Sequence, residues 1–140
     1  MAEVRTKKTF EKICQDFAGQ KTADAPFKNF MSFFVACAAI GVRERAKIPF
    51  AGQAGVIVQD RLWEGSNNHD YERNIYAVAL FEAKDVSIFS DKEKCYEIFE
   101  SYVNGGLDYI KELHTEMNSV DATYENLIQD AAHQALENSS

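Results

Sequence analysis

YVNGGLDYI, residues 102–110, interrupts what otherwise reads as one long amphipathic helix. Apolar residues recur at Cys95, Ile98, Phe99, Tyr102 and Val103, then at Leu107, Ile110 and Met117, close to the helical period. Gly105 and Gly106 fall in the middle, where each glycine costs a helix about 1 kcal/mol relative to alanine. An Asn-Gly step is a breaking signal, so Asn104, Gly105 and Gly106 are expected to form a structural turn, with a new helix from near Leu107. The alternative stays open. The apolar period survives across the pair, and a continuous helix would use the glycines to let another segment approach its backbone closely. Anion binding by the NGGL amides is a third reading, but no basic residue lies nearer than Lys111.

Outward from this stretch, the pattern is helical on both sides. TKKTFEKICQDFA, residues 6–18, sets Phe10, Ile13, Cys14 and Phe17 on one face, and Gly19 ends it. Asp24 and Pro26 suit the start of a second helix, from about Phe27 to Ile40. That helix is apolar nearly all round, which predicts a central place in the core, and Gly41 reads as its stop. HDYERNIYAVALFEAKD, residues 69–85, is helical with Ile75, Val78 and Ala79 inward, after Asn67, Asn68 and Asp70. Ser90 and Glu93 stand in capping-box register for the helix that carries the glycines. A last helix spans about Val120 to Leu136.

Residues 42–68 are the least helical part, punctuated by Pro49, Gly52 and Gly55, with the β-branched run GVIV. The expected fold is therefore mainly α: one domain over residues 1–140, a bundle of about six helical segments. It leaves room for a minor β-hairpin in residues 54–64 and a disordered last few residues. The longest unbroken apolar stretch, Phe33 to Ile40, is far short of a membrane span, and a cytoplasmic protein is expected. Cys14, Cys37 and Cys95 are widely spaced, which argues against a disulfide framework or a zinc site.

The net charge of −7 is uneven. Residues 1–50 carry nine Lys/Arg and five Asp/Glu, whereas residues 108–140 carry one and seven. Such polarity suits ordered protein–protein contacts, although exposed helix faces need charge in any case. Phosphate-loop, serine-hydrolase, zinc-peptidase and C-x-x-C patterns are all missing. His69, His114 and His133 are scattered, and the residues one helical turn from His114 complete no metal site. No enzyme, cofactor or metal is expected. The cluster that does invite a function is Arg43, Arg45 and Lys47, followed by Arg61 and Trp63. An extended basic run could lie along a phosphate backbone, and a lone tryptophan in an irregular segment could anchor a protein partner. The competing reading is a solvated loop with Trp63 capping the core.

The order of these features resembles a small prokaryotic family, the DNA-phosphorothioation (Dnd) system-associated accessory proteins of the fourth type. The resemblance rests on AAIG, then V-R-E-R-A-K-I-P, then NIYAVALFEAKD, then E-x-Y-x-N-G-G-L: Glu100, Tyr102, Asn104, Gly105, Gly106 and Leu107. It covers roughly residues 27–130. What the resemblance implies is company: restriction–modification or antiviral defence systems that place sulfur in the DNA backbone. It implies no known reaction and supplies no catalytic residue; the function expected here is that of a non-catalytic adaptor with a protein partner from such a system, working through the irregular segment 42–68. A homo-oligomer is compatible with it. DNA contact through the basic patch, as in a regulator, is the alternative.

Overall fold

The computed structural model describes residues 2–139, with side chains through residue 137. The expected disorder of the last few residues falls largely outside them. The element order is β1 (Glu3–Lys7), α1 (Glu11–Ala18), α2 (Phe30–Glu44), β2 (Ala54–Gln59), α3 (Asp60–Trp63), α4 (His69–Ala83), α5 (Lys92–Met117) and α6 (Val120–Ser139). The protein is mainly helical with a small antiparallel sheet, as the sequence predicts.

The decisive stretch does not bend. α5 runs unbroken through Asn104, Gly105 and Gly106, all of them buried. The expected turn is corrected by what lies opposite. A Cβ on Gly106 would run into the carbonyl of Cys37, and one on Gly105 into the carbonyl of Ala46. Gly41 answers from the other side, where a Cβ would meet the carbonyl of Tyr102. Three missing side chains thus let α2 and the chain just after it touch α5 backbone to backbone. Gly41 is no helix stop. α2 continues to Glu44, and Arg45 ends it in the left-handed conformation (φ 54°) with its N–H on Gly41 O and Val42 O.

The helix starts are also shifted. Asn29, not Asp24 or Pro26, caps α2: its Oδ1 accepts from Ser32 N at 2.8 Å, and Ser32 Oγ accepts from Asn29 N at 3.4 Å. Asp91, not Ser90, caps α5 by accepting from Lys94 N at 3.1 Å. Both caps satisfy amides that the first turn leaves open.

β2 forms where the β-branched run predicts a strand, but its partner is not residues 60–64. The chain turns there into α3, and β2 pairs antiparallel with β1 in the register Val4 to Val58 and Arg5 to Ile57. The alternation places Val4, Thr6, Val56 and Val58 on the buried side. The core they close holds Phe17, Phe33, Phe34, Cys37, Phe99, Leu107 and Ile110. Phe17 and Phe33 stack at 5.6 Å between ring centres.

Candidate functional site

The basic run after α2 is not one stripe. Arg43 stands in the last turn of α2 and faces α6: its Nη2 lies 3.2 Å from Asp130 Oδ2, and its Nε donates to Glu44 Oε2 at 3.1 Å. Lys47 pairs instead with Glu82 of α4, which also accepts from the Tyr102 hydroxyl at 3.0 Å. The hydrogen bond from Lys47, then that from Tyr102, holds the Glu82 carboxyl below its usual range, and the same pairing raises Lys47. Arg45 is spent on the helix end, although its side chain is exposed, and Arg61 is exposed on α3. The extended, one-sided geometry expected for phosphate tracking is replaced by two ion pairs aimed at different helices.

Trp63 is not a surface anchor. It is 0% exposed, sits edge-on to Phe99 at 5.5 Å, and donates its indole N–H to Val58 O at 3.3 Å. A large ring in an otherwise irregular segment is in fact the plug that joins α3 to α5 and β2.

Two residues take roles that the sequence reading did not give them. Glu100, 1% exposed, accepts from Arg5 N at 2.7 Å and from Arg5 Nε at 2.9 Å. Its other oxygen accepts from Arg5 Nη2 at 3.1 Å. Asn104 lies one helical turn later. Its Oδ1 accepts from Lys7 N and its Nδ2 donates to Arg5 O, each at 2.9 Å. Together they present to β1 the donors and acceptors that a neighbouring strand would offer. The signal was there: two polar residues at i and i+4 inside the apolar stripe of a helix, each needing a buried partner.

The cleft beside this contact holds about 400 Å³ and is lined by Arg5, Phe50, Glu93, Glu97 and Glu100. The Arg5 guanidinium lies 4.2 Å above the Phe50 ring. Glu100 accepts three hydrogen bonds from Arg5, which commits it to holding β1. The thiols are quiet. Cys14, Cys37 and Cys95 are buried and free, and burial pushes the Cys14 thiol up to about 12 and Cys37 well above its ordinary value. Neither holds the thiolate that nucleophilic chemistry needs. His114 Nδ1 lies 3.1 Å from Thr123 Oγ1, with the ring edge-on to Phe17. Among the described residues, no group of three or more His, Cys, Asp or Glu is placed to hold a metal ion.

A more apolar concavity lies elsewhere. A groove of about 510 Å³ opens between α2 and α6, floored by Ile110 of α5. Ala36, Ala39, Ile40 and Arg43 line one wall at helical spacing, and Leu127, Ile128, Ala131 and Ala135 line the other. Ile128 is 50% exposed. Small side chains on both walls leave the space open, and Arg43 of one wall pairs with Asp130 of α6.

The family model described as DNA sulphur modification system-associated protein 4 matches residues 3–140. The chain belongs to that family. This family is associated with DNA sulphur modification systems. No match is found among curated proteins or among solved structures. Of the described residues, no helix is long and apolar enough to cross a membrane.

Proposed function

We propose that this member of the family is a non-catalytic adaptor of a DNA sulphur modification system, working through protein contacts at the groove between α2 and α6. The groove itself carries the reading: an apolar trough with two helical walls and half-exposed Ile128 is built to take a third helix. Its occupant is an amphipathic helix of another component of the system, with an aliphatic stripe flanked by Lys or Arg. The charge follows from α6 and its approach, since residues 108–140 carry seven acidic residues and one lysine. A defence role fits the family's company.

The DNA-binding alternative loses its main support, because Arg43 and Lys47 already face carboxylates. Pairwise co-expression with each protein of the modification system, followed by size-exclusion chromatography, tests the adaptor. One component should co-elute with the chain, and Ala131→Lys should abolish co-elution while leaving the melting temperature within a degree or so of the parent. Co-elution that survives Ala131→Lys, or no co-elution with any component, would remove the groove reading.

A further inference from the structure

α4 turns one narrow stripe to solvent. Asp70, Arg73, Ala77 and Phe81 are all exposed and follow one another at steps of three and four residues, so they share a face. Lys84, exposed at the C-cap, continues the same line. The buried side chains of α4, Ile75 and Ala79, lie on the opposite side, where the helix packs on α5.

The solvent face of an amphipathic helix is charged and polar along its length. This one has an apolar middle between charged ends. Phe81 is 55% exposed and meets Tyr102 only edge-on, at 6.5 Å between ring centres. Ala77 adds a bare methyl group. Within the chain the charges have weak employment: Arg73 Nη1 lies 3.5 Å from Asp70 Oδ1, and both side chains are almost fully in solvent, where such a pair adds little.

We propose that α4 packs antiparallel against α4 of a second copy of this chain, across a twofold axis beside Ala77. The stripe is complementary to itself in that arrangement. Seven residues either way from Ala77 lie Asp70 and Lys84, so each comes level with its opposite charge on the other copy. Four residues either way lie Arg73 and Phe81, so a guanidinium comes level with an exposed ring and covers it in a cation–π contact. Symmetry makes each of these contacts twice, and no two like charges of the stripe come level. At the axis Ala77 meets Ala77, and the small side chain allows the helices to approach closely. Because the stripe lies opposite Ile75 and Ala79, the two cores stand on the outer sides of the helix pair. No residue of α4 lines the α2–α6 groove, so this surface stands or falls without the adaptor reading.

A single helix pair buries less than a standard interface, so sedimentation velocity of the full chain, taken up to millimolar concentration, should show a weak monomer–dimer equilibrium. Ala77→Glu sets two carboxylates at the axis and should leave only monomer at every concentration. Glutamate is a good helix former, so the helical circular dichroism should not change. Asp70→Lys and Lys84→Glu should each weaken the dimer about tenfold or more, since each sets like charges level at both ends of the stripe. Mixed in equal amounts, these two variants should form a heterodimer tighter than either forms alone, because opposite charges then meet again at both ends. Ala77→Cys should give a disulfide-linked dimer under oxidised glutathione, whereas Ala132→Cys, exposed on α6, should stay monomeric. The native thiols are buried and do not compete. A parent chain that is monomeric throughout, a dimer that survives Ala77→Glu, or a mixture that associates no better than its components would each overturn the proposal.

Discussion

α2 makes two contacts lined by small residues, and they end in opposite states. Toward α5, glycines at 41, 105 and 106 bring backbone against backbone, with the carbonyls of Cys37, Ala46 and Tyr102 filling the places of absent side chains. Toward α6, alanines at 36, 39, 131 and 135 leave an open trough. Small side chains therefore do not by themselves close a helix crossing. Closure at α5 comes from apolar residues around the glycines, Phe33, Phe34, Phe99, Val103 and Leu107, all fully buried, which anchor the approach. α6 has few such anchors: Leu127 is buried beside Tyr124, which meets Phe27 edge-on at 5.5 Å, while Ile128 turns outward. One contact is structural and finished. The other leaves an apolar trough between its walls.

The strongest way to break this contrast is to give the closed crossing a methyl group. Gly106→Ala and Gly105→Ala each gain helix propensity of about 1 kcal/mol. Each also drives a Cβ into a carbonyl of α2 or its exit, and backbone yields less easily than a side-chain tip. The net expected loss is about 2 kcal/mol or more for alanine, and larger for Gly106→Val, read as a lower midpoint in urea unfolding. If both alanine variants raised the midpoint, the close approach would not exist in solution.

The same contrast explains what the sequence disclosed. Helix class was legible because the apolar period is strong, and the strand at 54–59 because of its β-branched run. The glycine pair was ambiguous by nature. Asn-Gly stops a helix unless another backbone fills the space, and that partner, Cys37, lies almost seventy residues away in sequence and outside any local signal. β1 was hidden for a related reason. It is five residues long and half of its hydrogen bonding comes from side chains of α5, so neither its length nor its pattern marks it. Trp63 was misplaced because Pro and Gly around it signal a loop, whereas one turn of helix suffices to bury the ring. The basic run misled because its neutralising partners, Glu82 and Asp130, come from distant helices.

A smaller effect probes how the exit of α2 is held against α4 and α5. Glu82 has a folded-state pKa below its ordinary value, so its pairing with Lys47 and Tyr102 stabilises the fold above the unfolded carboxylate value of about 4.3. That contribution is lost as pH falls through the lower, folded value. Lys47 has the opposite sign. Its raised pKa contributes fully below about 10.4 and is lost at higher pH. The pair therefore supports the exit across the neutral range and fails at both extremes. Glu82→Gln should flatten the acid limb of the stability–pH curve compared with the parent, with little change in its shape near neutrality. An unchanged acid limb would mean that the ion pair is not formed in solution.

The smallest expected effect is the one that distinguishes an open groove from a closed one. Ala39 is exposed on α2 and lines the trough, so Ala39→Leu adds a branched side chain where no backbone or packed ring lies in wait. Leucine is nearly as good a helix former as alanine. The added carbons gain partial burial against the opposite wall, where Ile128 and Ala131 stand. Gains and losses should nearly cancel, leaving stability within about 0.5 kcal/mol of the parent. Set beside Gly106→Ala, a much smaller addition with a much larger cost, this near-neutrality would measure how far the two contacts differ. The same leucine occupies space that a partner helix needs, so it should weaken co-elution while the melting curve stays in place. A loss of more than about 1 kcal/mol would instead mean that α6 lies packed onto α2, with overpacking as the cause, and the trough would then be no site for a partner.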